Sequence, residues 1–262
     1  MTKEERHAII LENLMLHERV QVSELAETLD VSAVTIRKDL TELEKQGKLY
    51  RSHGHAIKMN PYVNNRSVNE KEKLMPAQKM LIGARAASLI TRDDSIIIAS
   101  GTTVHALARN IRPVHRLTVI SASLQVSEIL AANPDVEIIQ LGGILRHSSQ
   151  SVVGEYARAP FADTACSKLF IGVDGIDLDF GITTTDIREA ELNRVMIQAA
   201  QKVIVLADSS KFQRRGFAKI ADMDEVDLII TDAGIPPAMV RRLEEMGIEL
   251  LIASDMTPSS AV

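Results

Sequence analysis

Short apolar segments alternate with segments of helical periodicity from about residue 76 onward, and this alternation constrains the fold more than any other feature. Apolar runs predict strands at residues 95–99, 117–121, 136–141, 168–173, 202–207, 226–231 and 248–252, with helices at 77–90, 103–111, 123–132, 155–164, 186–200 and 236–246. Strands that are buried on both faces and separated by helices form mostly parallel sheets with helices on both sides. Residues 76–253 are therefore predicted to form a doubly wound α/β domain, and residues 254–262 a disordered tail.

Residues 1–57 have a different pattern, which predicts three helices followed by two short strands. Ser32 is a natural N-cap for the third helix, which is predicted to end near Gly47 because glycine commonly follows a helix. Residues 48–57 then have the pattern of a strand, a turn and a strand. The polar residues 58–75 lack apolar periodicity and are predicted to be a linker between the two parts.

The composition of the chain excludes several classes of protein. Hydrophobic residues make up 45% and charged residues 25% of the 262 residues, which is typical of folded domains rather than disordered chains. No apolar run approaches the roughly 18 residues that a membrane span needs, and the first residues lack the apolar region of a signal peptide. The single cysteine, Cys166, cannot form an internal disulfide. A cytoplasmic protein with no membrane partner, cofactor or metal site is therefore expected.

The third predicted helix separates into an apolar face and a polar face when it is projected at roughly 100° per residue. Its apolar face carries Ile36, Leu40 and Leu43, and its opposite face is suited to the major groove of double-stranded DNA. Arginine and lysine can reach phosphates or guanine, and threonine can form a hydrogen bond with either of these. An exposed valine can cover the methyl group of thymine. The candidate DNA-binding residues are Ser32, Val34, Thr35, Arg37, Lys38 and Thr41 on the helix, and Lys48, Arg51 and His53 beyond it.

The charge of the chain supports DNA binding only locally. A net charge of −5 argues against a nucleic-acid binder, but residues 31–58 carry six basic side chains against three acidic ones. The same pattern fits a small helical domain whose charged face is merely solvated, and periodicity alone does not separate these two interpretations.

Small and hydroxylated residues recur where three of the predicted strands end. Ser100, Gly101, Thr102 and Thr103 follow the first strand, Gly142 and Gly143 follow the third, and Lys211 closes a Ser-Ser-Lys sequence after the fifth. Strand ends that run into helices present backbone N–H groups to an anion, and ligands of open α/β sheets bind there. These loops predict a phosphate site, but strand-to-helix turns also use glycine and serine for structural reasons alone.

Acidic residues lie beside these loops. Asp174 and Asp177 follow the fourth predicted strand, and Glu189 lies in the first turn of the fifth predicted helix of the α/β domain. Carboxylates accept hydrogen bonds from the hydroxyl groups of a sugar. The alternative is that the aspartates cap turns and that the glutamate only complements its helix terminus. Both interpretations stay open on these residues alone.

Two groups of motifs resemble the DeoR family of bacterial repressors. The first group resembles the winged helix-turn-helix of the family and consists of residues 20–39 (VQVSELAETLDVSAVTIRKD) and the following segment LTELEKQGKLYRSHGHA. The second group resembles the sensor domain of the family and consists of SGTT, LGGILR, SVVGE, IGVDGID, REAELNR and ADSSKF. In the family, this domain is similar to ribose-5-phosphate isomerase and binds a phosphorylated sugar. The resemblance implies that the phosphate meets residues 100–103, Gly142, Gly143 and Lys211, and that the sugar meets Asp174, Asp177 and Glu189.

This chain departs from the family pattern at two positions. His55 stands where the family has the second glycine of its His-Gly-Gly-Ala wing, which predicts an altered wing tip. Ala122 stands where the family commonly has an asparagine that contacts the ligand, which implies a different sugar or a weaker site.

The resemblance implies a DNA-binding transcriptional repressor of a carbohydrate catabolic operon, acting as a homodimer or homotetramer on palindromic or repeated operators. Two alternatives stay open, namely a sugar-phosphate isomerase fused to a DNA-binding module and a DNA-bound scaffold with an empty sensor domain. We expect no enzyme activity, because isomerisation needs positive charge where negative charge develops. The isomerase has a lysine nine residues before its glutamate, and Phe180 occupies that position here.

Overall fold

The computed structural model describes residues 1–17, 19–45, 48–52, 54–57, 67–112 and 116–254. The chain divides into two compact units, Met1–Pro61 and Tyr62–Val262, which we call the N-terminal unit and the second unit. The predicted site residue His53, residues 58–66 of the predicted linker and residues 255–262 of the predicted tail lie outside the described residues. Among the helices that are described, none combines the length and the apolar character that a membrane crossing demands.

Three helices and a three-stranded antiparallel sheet form the described part of the N-terminal unit. The helices are α1 (Lys3–His17), α2 (Val22–Thr28) and α3 (Ala33–Lys45), and the strands are β1 (Arg19–Gln21), β2 (Tyr50–Ser52) and β3 (His55–Ile57). Strand β3 lies between β1 and β2. The predicted apolar face of the third helix is buried, because Ile36, Leu40 and Leu43 pack with Ile10 of α1 and Leu25 of α2. This arrangement is a winged helix-turn-helix, as predicted, with β1 as an additional strand.

Gly54 forms the turn of the wing, which we define as β2, β3 and the turn between them. Its φ is +81°, a conformation that glycine adopts without a steric penalty, and its carbonyl accepts a hydrogen bond from the N–H of Val22 at 3.0 Å. His55 belongs to β3 and pairs with Gln21 and Ser52. The positive φ therefore falls on a glycine, and the side chain of His55 strains no turn.

The described residues of the second unit contain twelve strands and seven α-helices. The strands are β4 (Ser95–Ile98), β5 (Leu117–Ser121), β6 (Val136–Gln140), β7 (Ile144–Arg146), β8 (Ser151–Val153), β9 (Cys166–Gly172), β10 (Gly175–Asp177), β11 (Gly181–Thr184), β12 (Ala200–Leu206), β13 (Ala218–Ala221), β14 (Leu228–Asp232) and β15 (Glu249–Ala253). The helices are α4 (Val68–Glu72), α5 (Pro76–Ala87), α6 (Thr102–Asn110), α7 (Leu124–Leu130), α8 (Glu155–Arg158), α9 (Ile187–Gln198) and α10 (Pro237–Glu245). Short 3-10 helices span Ala159–Asp163, Ser209–Lys211 and Met223–Glu225.

Seven of these strands form one parallel sheet in the order β15-β14-β12-β9-β4-β5-β6. All seven match the strands that the apolar runs predict, within two residues at either end. Parallel neighbours need crossover connections, and most of these contain one of the predicted helices. The prediction of a doubly wound α/β domain is therefore confirmed.

The two faces of the sheet carry separate apolar cores. Ile96 of β4 packs in one cluster with Ile82 of α5, whereas its neighbour Ile97 packs in the other cluster with Met196 of α9 and Leu243 of α10. Successive side chains of a strand point to opposite faces, so each strand contributes to both cores. Helices α5, α6 and α7 cover one face, and α9 and α10 cover the other.

The remaining strands form two small antiparallel structures beside the parallel sheet. Strands β7 and β8 form a hairpin, and β10, β11 and β13 form a three-stranded sheet. Each of these strands has only three or four residues, which is too short for alternation to be recognised in the sequence. They were not predicted for that reason.

Helix α4 lies in the segment that the sequence predicts to be a linker. Its capping box is complete, because the N–H of Ser67 donates to Oε2 of Glu70 at 2.8 Å and the N–H of Glu70 donates to Oγ of Ser67 at 3.3 Å. Val68 is buried, and its N–H donates to the carbonyl of Ser148 at 2.6 Å. Residues 67–75 therefore belong to the folded second unit, which corrects the predicted linker over these residues. A single buried apolar side chain gives no periodicity, so the pattern could not reveal this helix.

Candidate functional site

A cleft opens at the carboxyl ends of the central strands of the parallel sheet. It is lined by Val68, Lys71, Ser100, Gly101, Thr102, Thr103, Arg146, Ser148, Ser149, Gly172, Val173, Asp174, Thr184, Thr185, Glu189 and Lys211. Seven of the ten residues that were predicted to bind an effector are among them, namely Ser100, Gly101, Thr102, Thr103, Asp174, Glu189 and Lys211. The fold thus brings together side chains from separate loops, as expected for the carboxyl edge of an open α/β sheet.

The loop after β4 supplies one wall of the cleft. Gly101 has a φ of +119°, and helix α6 begins immediately after it at Thr102. A Cβ atom at Gly101 would meet nothing within 4 Å, so it is the backbone conformation that requires glycine here. The N–H groups in the first turn of a helix have no carbonyl partner within the helix and carry partial positive charge. This wall is therefore suited to an anion.

Lys211 lines the same cleft from the loop after β12. It ends the 3-10 helix Ser209–Lys211, in which Oδ1 of Asp208 accepts the N–H of Ser210 at 3.1 Å. The ammonium group of Lys211 has no hydrogen-bond or ion-pair partner among the described residues. An ammonium group whose N–H donors are not used within the protein can donate them to an anion in the cleft.

Asp174 is a buried carboxylate just beyond the end of β9. Its Oδ1 accepts a hydrogen bond from Nζ of Lys71 at 2.6 Å, and its Oδ2 accepts from the hydroxyls of Thr184 at 3.2 Å and Thr185 at 3.3 Å. Burial alone would raise the pKa of Asp174, but the Lys71 ammonium and the hydrogen bonds outweigh burial and hold this pKa below its ordinary value. Asp174 is therefore an ionised hydrogen-bond acceptor at neutral pH.

Glu189 lies in the first turn of α9, where Arg146 binds it. Nη1 of Arg146 donates to Oε2 of Glu189 at 2.5 Å, and Nε of Arg146 lies 3.2 Å from Oδ2 of Asp186. Oγ of Ser100 donates to Oε1 of Glu189 at 2.6 Å. This network joins the loop after β4 to α9 and the β7–β8 hairpin, and it fixes the position of the carboxylate.

Asp177, Gly142 and Gly143 were predicted to bind the effector but do not line the cleft. Oδ2 of Asp177 accepts from Nε of Arg215 at 2.6 Å, and its Oδ1 accepts backbone N–H groups of the turn after β10. A Cβ atom at Gly143 would lie 2.6 Å from the carbonyl oxygen of Val153, so Gly143 permits a close approach between backbone segments. These positions are explained by local structure, and Arg146 of the hairpin that follows the glycines reaches the cleft instead.

The polar face of α3 is exposed on the N-terminal unit. Val34 is 58% exposed, and Arg37 and Lys38 are exposed with no ion-pair partner among the described residues. These three side chains line a shallow groove together with Thr41, Glu42 and Lys45. An apolar side chain between free cations on an exposed helix suits contact with base edges and phosphates.

The other predicted DNA-binding residues that are described take part in bonds within the N-terminal unit or lie on its surface. Oγ of Ser32 accepts the N–H of Thr35 at 3.1 Å and so caps the first turn of α3. Oγ1 of Thr41 accepts from Nη1 of Arg51 at 2.5 Å, which joins α3 to the wing. Lys48 is exposed just before β2.

Two family models match the two units of the chain. The model described as a DeoR-like helix-turn-helix domain matches residues 6–61, and the model described as the DeoR C terminal sensor domain matches residues 75–233. The chain belongs to the DeoR family.

Relatives match this DeoR-family chain over nearly its whole length. The HTH-type transcriptional repressor GlcR of Bacillus subtilis strain 168 is 35% identical over 252 residues, covering 96% of this chain and 97% of its own. A protein provisionally named as an aga operon transcriptional repressor in Escherichia coli O157:H7 is 37% identical over 254 residues, covering 96% and 94%. This chain is accordingly a transcriptional regulator and not an enzyme, as predicted. A solved ribose 5-phosphate isomerase A from Neisseria gonorrhoeae is a distant neighbour, with a TM-score of 0.37 and 15% identity over 51% of this chain and 52% of that chain.

Several cleft residues of this DeoR-family protein were missed by the sequence analysis. They are Val68, Lys71, Arg146, Ser148, Ser149, Gly172, Val173, Thr184 and Thr185. Thr184 and Thr185 end a run of three threonines just before α9, and this hydroxyl-rich approach to a helix was a usable signal. Arg146 closes the motif LGGILR, but Lys71 lies in a run of alternating charges where nothing distinguishes it from its neighbours.

Proposed function

We propose that this DeoR-family chain is a repressor of a carbohydrate catabolic operon, and that a phosphorylated sugar bound in the cleft controls its affinity for double-stranded operator DNA. The observation that carries the proposal is that the helix amino end, a lysine and two carboxylates all line one cleft. Lys211 and the amino end of α6 supply positive charge, and Lys211 has no partner among the described residues. Asp174 and Glu189 supply carboxylates. A phosphorylated sugar offers a phosphate to the positive groups and hydroxyl groups to the carboxylates.

The phosphate end of the proposed site is the loop of residues 100–103 together with Lys211. A phosphate monoester carries nearly two negative charges at neutral pH, and its oxygens accept hydrogen bonds strongly. The loop and the lysine offer hydrogen-bond donors of three kinds, namely the first-turn N–H groups of α6, the hydroxyls of Thr102 and Thr103, and the ammonium of Lys211. A free sugar offers these donors no charge, so it should bind far more weakly than its phosphate ester.

The sugar end of the proposed site is formed by Asp174 and Glu189. Vicinal hydroxyls donate to ionised carboxylates, and each carboxylate has more acceptor positions than its present partners use. Lys71 and Arg146 already hold these two carboxylates in place. Preorganised acceptors need no further ordering when the ligand binds, which favours affinity and selectivity.

DNA binding is assigned to α3 and the wing. Val34, Arg37 and Lys38 are the exposed side chains that can contact bases and phosphates, and Lys48 can meet the backbone beside them. A single small DNA-binding module buries roughly 600–1,000 Å² of protein surface, and specific complexes usually bury roughly 1,000–2,500 Å². We therefore propose that a homodimer or homotetramer binds paired half-sites.

The test of this function uses the full-length protein and duplex DNA recovered by selection from a randomised pool. Fluorescence anisotropy measures the Kd of the protein for that duplex under three conditions. The first has no sugar, the second has a pentose or hexose phosphate such as ribose 5-phosphate, glucose 6-phosphate or fructose 6-phosphate, and the third has the corresponding free sugar. At least one sugar phosphate should change the Kd by about fivefold or more, and its free sugar should not. Equal responses to both would contradict the phosphate site. A protein that no sugar phosphate affects or stabilises would be a DNA-bound scaffold with an empty cleft.

A further inference from the structure

Exposed hydrophobic side chains concentrate around the hairpin of β7 and β8. The described residues of the second unit include eleven large hydrophobic side chains that are exposed. Strand β7 contributes two of them, Ile144 (60% exposed) and Leu145 (42%). No other described strand or helix of this unit contributes more than one. Single exposed hydrophobic residues are ordinary on a protein surface, whereas groups of them mark interaction sites.

Three more of these exposed side chains lie on elements that adjoin the hairpin. Leu124 is the first residue of α7, and its N–H donates to the carbonyl of Gln150 in the turn of the hairpin at 3.1 Å. Tyr156 belongs to α8, which packs beside β8. Ile187 is the first residue of α9, which the ion pairs of Arg146 join to β7. We call these five exposed residues the hairpin surface, namely Leu124, Ile144, Leu145, Tyr156 and Ile187.

The outer edge of β7 is open. In an antiparallel pair of strands, opposite residues alternate between pairs that exchange hydrogen bonds and pairs that do not. The N–H of Val152 in β8 donates to the carbonyl of Ala122 at 2.9 Å, so the backbone groups of Val152 point away from β7. Leu145 lies opposite Val152, and its own N–H and carbonyl therefore point to the outer side of the hairpin, where no described strand pairs with them. An open edge with exposed hydrophobic side chains is a site where another strand can pair.

The charge of this region suits a second copy of the same chain. Residues 138–145 (IIQLGGIL) contain no charged residue. Across a two-fold axis a surface meets a copy of itself, so a charged centre would bring like charges together. On the adjoining helices, Arg158 of α8 and Glu191 of α9 form an exposed ion pair at 3.7 Å. A neutral centre beside charges of both signs can pair with itself, and it lacks the excess of basic charge that nucleic acid would require.

The N-terminal unit offers little surface of this kind. Among the side chains that are described there, two large hydrophobic ones are exposed, Met1 and Val34. Val34 belongs to the face of α3 that we propose contacts DNA. The contacts that hold a homo-oligomer together are therefore expected on the second unit.

We propose that two copies of this chain associate through the hairpin surface, related by a two-fold axis beside Leu145. This inference rests on the proposed function and deepens it, because that function requires a homodimer or homotetramer. The N–H and carbonyl of Leu145 bond to the same groups of the second copy, and Ile144 and Tyr156 are buried against it. A contact in which both copies use the same surface closes after two copies, so it forms a dimer, or one of the interfaces of a tetramer.

The test measures association of the full-length protein in the absence of DNA and sugar phosphate. Analytical ultracentrifugation gives the oligomeric state and the dissociation constant, and the wild type should be a dimer or a tetramer. Ile144→Glu buries a charge on both copies and should raise the dissociation constant by about a hundredfold or more. Ile252→Glu is the matched control, because Ile252 is an exposed isoleucine of β15, an edge strand of the parallel sheet. This control should associate like the wild type.

A second matched pair decides if the melting transition of Ile144→Glu shows that this variant does not fold. Tyr156 and Phe217 are aromatic side chains with 82% and 80% exposure, so neither contributes to the core. Tyr156→Ala should raise the dissociation constant by about tenfold, because aromatic residues contribute much of the binding energy of interfaces. Phe217→Ala should leave the dissociation constant unchanged.

A monomeric wild type overturns the inference, and so does a folded Ile144→Glu variant that associates as tightly as Ile252→Glu. Dissociation of the oligomer by Ile252→Glu alone would place the interface at β15 and would overturn the inference as well. The proposed function fails on a different result. A dimer that Ile144→Glu dissociates, but whose DNA affinity responds to no sugar phosphate, would contradict the effector site and leave the interface standing.

Discussion

Arg6 and Asp39 join α1 to α3 through two hydrogen bonds, from Nε to Oδ2 at 2.8 Å and from Nη2 to Oδ1 at 3.1 Å. Asp39 is 4% exposed. Burial alone would raise the pKa of Asp39, but the Arg6 guanidinium outweighs burial and lowers this pKa below its ordinary value. An ionised carboxylate thus orients the helix that we propose binds DNA, from the face opposite to Arg37 and Lys38.

We predict that Asp39→Asn destabilises the N-terminal unit. Asparagine removes the charge that strengthens both hydrogen bonds from Arg6, so the contact between α1 and α3 is weakened. Hydrogen exchange in α1 and α3, measured by mass spectrometry on the full chain, should accelerate by about tenfold. Glu12→Gln removes an exposed carboxylate of α1 and is the control. Exchange as slow as in this control would show that the pair contributes no stability.

The same pair predicts a dependence of stability on pH. The pKa of Asp39 is lower in the folded protein than its ordinary value of 3.8, so the stabilisation is fully present above that value. It is lost as the pH falls through the folded pKa. Urea unfolding monitored by circular dichroism should therefore show a difference between wild type and Asp39→Asn that is constant near neutrality and disappears in acid. A difference that persists in acid would mean that charge is not the cause.

Removal of the exposed cations of α3 should weaken DNA binding. If Arg37 contacts a base, Arg37→Ala should weaken the free energy of binding to the selected duplex by about 1–3 kcal/mol. If Lys38 contacts a phosphate, Lys38→Ala should lower the slope of log Kd against log salt concentration by about one. Arg92→Ala is the control, because Arg92 is an exposed arginine of the second unit. Gel shifts in which the double variant Arg37→Ala, Lys38→Ala binds like the control would exclude α3 as the DNA-binding helix.

The phosphate end of the cleft can be tested by thermal stability. A ligand at one hundred times its Kd stabilises a protein by about 2.7 kcal/mol, which for a domain of this size raises the Tm by roughly 5–10 °C. The effective sugar phosphate should produce this rise in the wild type and very little in the double variant Thr102→Ala, Lys211→Ala. Lys202→Ala removes an exposed lysine paired with Glu249 and should respond fully. A full rise in the double variant would place the phosphate elsewhere.

Two glycines of the second unit should tolerate alanine very differently. A Cβ atom at Gly83 of α5 would lie 2.5 Å from the carbonyl carbon of Ala106 and 2.6 Å from the backbone nitrogen of Leu107, so α5 and α6 would have to separate. Gly83→Ala should therefore lower stability by about 1–3 kcal/mol. A Cβ atom at Gly142 meets nothing within 4 Å, so Gly142→Ala should keep both the Tm and its rise with sugar phosphate. If the Tm of Gly142→Ala did not rise with sugar phosphate, Gly142 would have to be part of the binding site.

The parallel sheet could be predicted because its strands carry the signal in their own residues. Strand β4 contains three consecutive isoleucines, which face both cores and so read as a continuous apolar run. The strand Gly175–Asp177 has no such signal. It is defined by its pairing with Gly181–Thr184, and that partner is itself positioned by β13. Such strands depend on tertiary contacts that no local pattern contains.

The same distinction applies to the cleft. Residues 100–103 and Lys211 could be predicted because strand ends of a parallel sheet meet at one edge wherever the strands lie in the sequence. Arg146 reaches the cleft only because a short hairpin turns back over it, and Lys71 only because a helix without apolar periodicity packs there. Asp177 was predicted together with Asp174 but does not line the cleft, because a carboxylate after a strand looks the same in sequence whether it binds a ligand or holds a turn.

The order of the cleft residues along the chain has a consequence for newly made protein. The residues that line the cleft begin at Val68 and end at Lys211, whereas the N-terminal unit ends at Pro61. A ribosome adds roughly 5–20 residues per second, so about 8–30 s separate the synthesis of Pro61 from that of Lys211. Throughout this interval the nascent chain contains every residue of α3 and the wing but lacks the lysine proposed to hold phosphate. Under the proposed function, each molecule thus contains its DNA-contacting residues before its phosphate site is complete.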